Sequence, residues 1–283
     1  MNATPRSYRD TGAGVVDTLD GPWGRIGVLC RAHPQHAGVS EDAAAVIPIE
    51  DDGIVLAVAD GVGGARSGEL ASHLAIEHLT RVAERPDVPL RERVMRAFEE
   101  ANAAILDLGL GAATTLAVVT VVGGVARSYH AGDSEMWLVG SRGRIKYRTV
   151  SHSPVGYAVA SGVLDGDSAL FHEERHVISN HVGNREMRID VSPPLRLAPL
   201  DTLLLATDGL FDNLLESEIV AGIRKGPLRG ALDGLSGQVV SRMAEERDGQ
   251  PSKEDDVTLI LFRGPRRAST PGNGSVGAGP PGP

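Results

Sequence analysis

Hydrophobic residues fall along the chain in two kinds of run. Short unbroken apolar stretches predict strands buried on both faces, and longer stretches with an apolar residue every third or fourth position predict amphipathic helices. The first strand-type runs are Trp23–Cys30, which alternates weakly, then Ala43–Ile49 and Ile54–Ala59. Glu50-Asp51-Asp52-Gly53 separates the last two as a turn, so they read as a hairpin. Ser67–Arg85 carries Leu70, Leu74, Ala75, Leu79 and Val82 at helical spacing and stops at Pro86. Leu90–Leu108 repeats the pattern with Leu90, Val94, Ala97, Ala101 and Ile105, and Gly109 ends it. The period then switches back. Thr115–Val122, Val125–His130, Met136–Val139 and Ile145–Val150 form an antiparallel meander, broken at Gly123-Gly124, at Ala131–Ser134 and at Ser141–Arg144. Residues 151–200 are irregular, with a candidate helix over Val155–Val163. Thr202–Thr207 predicts another strand, Leu214–Ile223 and Leu228–Ala244 two helices, and Val257–Phe262 a last strand.

The two ends lack both patterns. Residues 1–22 read as a flexible lead-in, and 264–283 as a Gly/Pro-rich tail that buries too little apolar surface to offset its ordering entropy. The domain is therefore expected over residues 23–263. A chain of 283 residues suffices for one large core or two small ones. A formal net charge of -9 argues against a nucleic-acid partner. No stretch reaches the roughly 18 apolar residues of a membrane span, and no secretory pattern opens the chain. The one cysteine, Cys30, cannot form an internal disulfide, which fits a reducing, cytoplasmic setting. With no nucleophile motif around it, Cys30 reads as a packed small residue. His33 and His36 lie in a loop without a further ligand nearby and read as loop residues.

The candidate chemistry sits at the ends of the predicted strands. Ile54–Ala59 runs into Asp60, followed by Gly61, Gly63 and Gly64, and Leu203–Thr207 runs into Asp208-Gly209. The hairpin brings Glu41 and Asp42, before its first strand, beside Asp60 at the end of its second. Asp133 and Asp255 also flank strand ends. Any one of these reads as a turn acid, because Asp-Gly is a common turn signal. Together they form a constellation that a core does not tolerate without a partner, since each ionised carboxylate costs several kcal/mol to desolvate. Divalent cations are that partner. Oxygen donors without Cys or His favour Mg²⁺ or Mn²⁺ over Zn²⁺.

Ser40-Glu41-Asp42, Asp60-Gly61-Val62-Gly63-Gly64, Gly132-Asp133-Ser134, Asp208–Asn213 and Asp255-Asp256-Val257-Thr258 occur in an order that resembles the metal-dependent serine/threonine protein phosphatases of type 2C, the PPM family. The resemblance spans about Trp23 to Phe262. It implies an α+β fold: a four-layer αββα sandwich of two antiparallel sheets flanked by helices. It implies two Mn²⁺ or Mg²⁺ ions bridged by Asp60, with the Gly61 carbonyl, Asp208 and Asp255 completing the ligands and Asp42 acting through a water. Asp133, with Asp208 and Asp212, matches a third-ion site of bacterial relatives. Asp60, Asp208 and Asp255 would be the catalytic set. The implied reaction is hydrolysis of phosphoserine and phosphothreonine in proteins by a metal-activated water, in a monomer whose partners are phosphorylated proteins, including a serine/threonine kinase and its substrates. Three positions depart from the family pattern. Ala37 stands where relatives carry a phosphate-gripping arginine, Ser40 replaces Asn, and Val62 stands where animal relatives carry a histidine. Arg31, the nearest preceding arginine, is the candidate phosphate clamp. The lost arginine motivates one alternative, a phosphatase-like regulator that binds phosphoproteins without turnover. A hydrolase of small phosphate esters is another.

Overall fold

The structure is a computed structural model that describes residues 4–10, 12, 14–33, 40–62 and 65–265. His36, Ala37, Gly63, Gly64 and the segment 266–283 lie outside the described residues. In chain order the strands are β1 (Arg6–Tyr8), β2 (Val15–Gly21), β3 (Gly24–Arg31), β4 (Ala43–Ile49), β5 (Gly53–Ala59) and β6 (Gly61–Val62). Helix α1 (Ala65–Thr80) continues as a 3₁₀ turn over Arg81–Glu84, and α2 (Leu90–Asp107) follows. Next come β7 (Ala113–Thr114), β8 (Leu116–Val122), β9 (Val125–Ala131), β10 (Glu135–Val139) and β11 (Ile145–Arg148). The expected irregular stretch holds short helices α3 (Pro154–Ala160) and α4 (Gly166–Ala169) and short strands β12 (Asp190–Val191) and β13 (Leu195–Arg196). The chain closes with β14 (Thr202–Ala206), a single helical turn α5 (Asp208–Phe211), α6 (Glu216–Ile223), α7 (Leu228–Ala244) and β15 (Val257–Arg263).

Two antiparallel sheets stack face to face. One follows the order β1-β4-β5-β8-β9-β12, with β13 also on β9, and the other β11-β10-β14-β15-β3-β2. The side-chain parity of the central strands explains why their sequence does not alternate. Ile54, Leu56 and Val58 of β5 point into the core between the sheets, while Val55, Ala57 and Ala59 point outward under α1 and α2. Likewise Ile260 and Phe262 of β15 fill the inter-sheet core, and Leu259 and Leu261 pack under α6 and α7. Both faces are apolar because helices cover the outer ones. Three hydrophobic layers thus separate four layers of structure, the αββα arrangement expected. Cys30 lies in the inter-sheet core at 0% exposure, and burial pushes its thiol up to about 12.

The N-terminal expectation is corrected. Arg6–Tyr8 pairs with Ala44–Val46, and Val15–Gly21 pairs with β3 along its whole length. Both segments are edge strands. They pair on one side and are largely exposed on the other, so polar residues such as Asp17, Thr18 and Asp20 mask the strand signal. His33, read as a loop residue, lies outside any helix or strand but is buried, and its backbone N–H donates to Asp256.

A carboxylate centre at the mouth of the sandwich

The register of the strands gathers the acids at one end of the sandwich. Ala43 sits opposite Ala59, so Asp42, one residue before β4, and Asp60, one residue after β5, meet at the same rim. Asp208 follows β14, and Asp255 and Asp256 precede β15, which pairs antiparallel with β14. Asp133 enters from the β9–β10 connection, after Gly132 with φ +120°. A Cβ on Gly132 would lie 2.5 Å from the Thr115 side chain, so only glycine fits there.

Each acid is fixed by neighbours. Thr207 Oγ1 donates to Asp42 Oδ2 at 2.8 Å, joining the two sheets across the mouth. The Asp60 backbone is held at both ends: its N–H donates to Thr115 Oγ1 (3.0 Å), and its carbonyl accepts from Thr114 Oγ1 (2.8 Å) and from the Thr115 N–H (2.8 Å). Thr115 Oγ1 also meets Ser134 Oγ at 2.7 Å, which couples the Asp60 and Asp133 loops. Gly61 donates its N–H to the Glu41 carbonyl (3.2 Å), and a Cβ on Gly61 would lie 2.2 Å from the Gly68 carbonyl oxygen. Asp256 turns away from the other acids. Its carboxylate accepts from the His33 and Glu41 N–H groups and from Ser40 Oγ, and so sets the loop that carries Asp42.

The electrostatics fall in two halves. Burial, then the charges of Asp256 and Asp255, push Asp42 well above the usual carboxylate range. Burial, then Asp208 and Asp42, do the same to Asp60, and burial with Asp208 raises Asp133. Asp133 Oδ1 is buried with no hydrogen-bond partner. On the other side stands Lys253. Its ammonium pairs with Asp208, with Asp255 at 2.9 Å and with Asp212 at 3.1 Å. Burial alone would raise Asp208, but Lys253 beside it holds it below the ordinary range. Burial and the Asp208 charge still push Asp212 up to about 6 and Asp255 up to about 7.

The structure thus brings Asp42, Asp60, Asp133, Asp208, Asp212 and Asp255 together, with Gly61 half-buried at their edge. It does not bring Arg31 to them. Arg31 ends β3 opposite Val257, and its guanidinium packs beside Gly14 at the start of β2. In the order β15-β3-β2 that places it on the far side of β3 from Asp255. The clamp expected from sequence is not formed, because the alternation along β3 turns Arg31 off the face that Cys30 shares with the inter-sheet core. Asp256 stood in the quoted Asp255–Thr258 motif without a role, and Lys253 had no sequence signal beyond its neighbour Asp255.

Two further features border the centre. A cavity of about 450 Å³ opens beside Asp133 and Asp208, between α3–α4 and α5–α6, with Trp137, Val155, Phe211 and Ile219 among its walls. Glu135 lines it, accepts from Trp137 Nε1 (2.7 Å) and is pushed up to about 7 by burial. Behind Asp133, the buried His130 and His152 stack with ring centroids 4.4 Å apart, near Asp190. His152 Nδ1 accepts from the Gly132 N–H (3.1 Å) and from Asn180 Nδ2 (2.8 Å). Asn180 is itself fixed, because its Nδ2 also donates to the Arg188 carbonyl and its Oδ1 accepts the Arg188 N–H. The His152 proton therefore sits on Nε2, facing Asp190 Oδ2 at 3.3 Å. That proton makes the trio a buttress for Gly132 and its neighbour Asp133 rather than a set of metal ligands.

Buried carboxylates crowded at the rim of such a sandwich, oxygen donors only, define a class of proteins built to hold hard cations. Comparisons narrow the class. The family model for protein phosphatase 2C matches residues 31–225, and the chain belongs to that family. It is 30% identical over 221 residues to a putative protein phosphatase 2C-type of Streptococcus pyogenes serotype M6, covering 69% of this chain and 88% of that protein. The serine/threonine phosphatase of S. agalactiae superposes with a TM-score of 0.72 at 24% identity, over 84% of this chain and 98% of that one. The catalytic domain of the serine/threonine protein phosphatase PstP, solved with 2 manganese ions, superposes with a TM-score of 0.66 at 24% identity, over 84% of this chain and 97% of that one.

Proposed function

We propose that the chain hydrolyses phosphoserine and phosphothreonine in proteins, using Mn²⁺ or Mg²⁺ held by Asp60, the Gly61 carbonyl, Asp208 and Asp255, with Asp42 beside them. The observation that carries this reading is the crowding of six carboxyls at one rim. Three of them are driven well above their usual range, and Asp133 Oδ1 is left without a partner. Such a set is stable only around positive charge, and its all-oxygen donors fit hard divalent ions. Divalent cations held there supply the charge that draws phosphate oxygens in and the Lewis acidity that ester hydrolysis needs.

The chain's own residues supply position. Thr207 aims Asp42, Thr114 and Thr115 fix Asp60, and Asp256 holds the Ser40–Asp42 loop. A phosphorylated side chain delivered to this rim leaves its flanking peptide beside the cavity walled by Trp137, Phe211 and Val155. In the reaction a water oxygen bonds to phosphorus, the bond from phosphorus to the seryl or threonyl oxygen breaks, and that oxygen takes a proton. Cys30, sealed between the sheets, takes no part. No helix among the described residues is long and apolar enough to cross a membrane. A monomer acting in the cytoplasm, opposite a serine/threonine kinase and on its substrates, completes the reading.

The retained carboxylates weigh against a regulator that binds without turnover. The test is hydrolysis of a phosphothreonine peptide and of para-nitrophenyl phosphate with Mn²⁺, with Mg²⁺ and with excess EDTA. Turnover is expected with either ion and lost in EDTA. Turnover undiminished by EDTA would overturn the carboxylate site, and none with either ion would favour the regulator.

A further inference from the structure

We propose that Lys253 is a built-in cation of this centre: its ammonium takes the place of one divalent ion on the Asp208–Asp212 side, so that the chain loads two ions where the carboxylates alone would hold three. The inference rests on the reading of the rim as a metal site. The first observation is the set of contacts: one ammonium pairs with Asp208, Asp212 and Asp255. A lysine ammonium is a compact point charge with three donors, so three carboxylates saturate it as they would a small ion.

The second observation is that the backbone beneath it is built to hold it. Asn213 is fully buried, and its Oδ1 accepts the Lys253 N–H (2.9 Å) while its Nδ2 donates to the Lys253 carbonyl (2.9 Å) and the Gly209 carbonyl (2.9 Å). The same side chain therefore ties Lys253 to the helical turn that bears Asp208 and Asp212. One residue earlier, the Ser252 carbonyl accepts from the Arg175 guanidinium (3.0 Å), and Ser252 Oγ donates to the Arg242 carbonyl (2.9 Å). A solvated loop lysine has no such frame. The third observation is the asymmetry of the rim. Lys253 reaches Asp208, Asp212 and Asp255, whereas Asp42, on the inner side, is held by the Thr207 hydroxyl, so that half is left for divalent ions. A further ion between Asp133, Asp208 and Asp212 would stand against the ammonium, and like charges at that range repel strongly.

The test is the number of Mn²⁺ ions bound by the full chain, read by titration calorimetry and by metal analysis after equilibrium dialysis, together with thermal melting in EDTA. Wild type is expected to bind two ions. Lys253→Met is expected to bind a third and to melt lower than wild type in EDTA, with the gap closing in saturating Mn²⁺. Lys253→Arg, which keeps the charge, should stay at two. A wild type that binds three ions, or a folded Lys253→Met that still binds two, would overturn the role of Lys253 while leaving the metal site standing. If Lys253→Met fails to fold in EDTA, its count is taken on protein folded and dialysed in Mn²⁺, where three ions support the inference and two overturn it. A wild type that binds no Mn²⁺ would overturn the site itself, and the inference with it.

Discussion

Asp60-Gly61 and Asp208-Gly209 are written alike. Each follows a buried apolar strand, and in each the glycine is required by close approach: a Cβ would lie 2.2 Å from the Gly68 carbonyl oxygen at Gly61 and 1.8 Å from the Asp256 carbonyl oxygen at Gly209. Their surroundings are opposite. Asp60 runs on into another strand with the acids Asp208, Asp42 and Asp255 acting on it, and burial and Asp208 push it up. Asp208 opens a helical turn whose next acid, Asp212, points at the same ammonium, and Lys253 holds Asp208 down against its burial. The same dipeptide thus yields a carboxyl that needs an outside cation and one that already has a cation from its own chain.

The largest effects come from removing either charge. Asp60→Asn and Asp208→Asn should each lower turnover roughly a thousandfold, the scale of losing several kcal/mol of cation-borne charge stabilisation. The two should part in EDTA. Asp60→Asn relieves repulsion and should raise the melting temperature of the metal-free chain, whereas Asp208→Asn strips a partner from Lys253 and should lower it. Equal shifts of one sign would erase the contrast drawn between the two steps. Next in size, Gly209→Ala should cost about 3 kcal/mol in urea unfolding, the upper part of the overpacking range, because the obstacle is backbone. A loss under about 1 kcal/mol would mean that the Asp256 carbonyl yields easily.

A smaller, pH-dependent effect follows from the raised carboxyls. A group whose carboxyl is raised on folding stabilises the fold fully below its unfolded value, and that contribution fades as pH climbs to the folded one. With Asp212 at about 6 and Asp255 at about 7, the metal-free chain should lose stability from about pH 4 to about pH 7. Asp208, held low, has the opposite sign, and its contribution is lost only as pH falls below the ordinary carboxylate range. Saturating Mn²⁺ should flatten the slope. Melting curves across that window, with EDTA and with Mn²⁺, check the sign. The smallest effect is expected at Arg31. With its guanidinium beside Gly14, Arg31→Ala should change KM and inhibition by inorganic phosphate less than about twofold. A loss of tenfold or more, about 1.4 kcal/mol, would restore the clamp.

The core strands and most of the acids were legible because both depend on local pattern. Ile54–Ala59 and Leu203–Ala206 are apolar on both faces, and an acid after such a run has nowhere to go but the rim. What escaped depends on partners distant in sequence. Val15–Gly21 is a strand only because β3 lies beside it. Lys253 sits in the polar stretch Gln250–Glu254, which carries no periodicity, and its role is set by Asn213, 40 residues earlier. Arg31 was misplaced for a related reason. Proximity in sequence gave its distance from the rim, but the face of β3 it occupies follows from the register with β15.

Cys30 gives the molecule a clock. Its thiol lies fully enclosed between the sheets and is pushed up to about 12, so peroxide or an alkylating reagent meets almost no thiolate while the sandwich is closed. A phosphatase of this build is expected to keep its turnover under peroxide that silences thiol-based enzymes. Labelling of its one thiol can proceed only through opening, so the modification rate counts how often the two sheets part, and adding Mn²⁺ should slow that count.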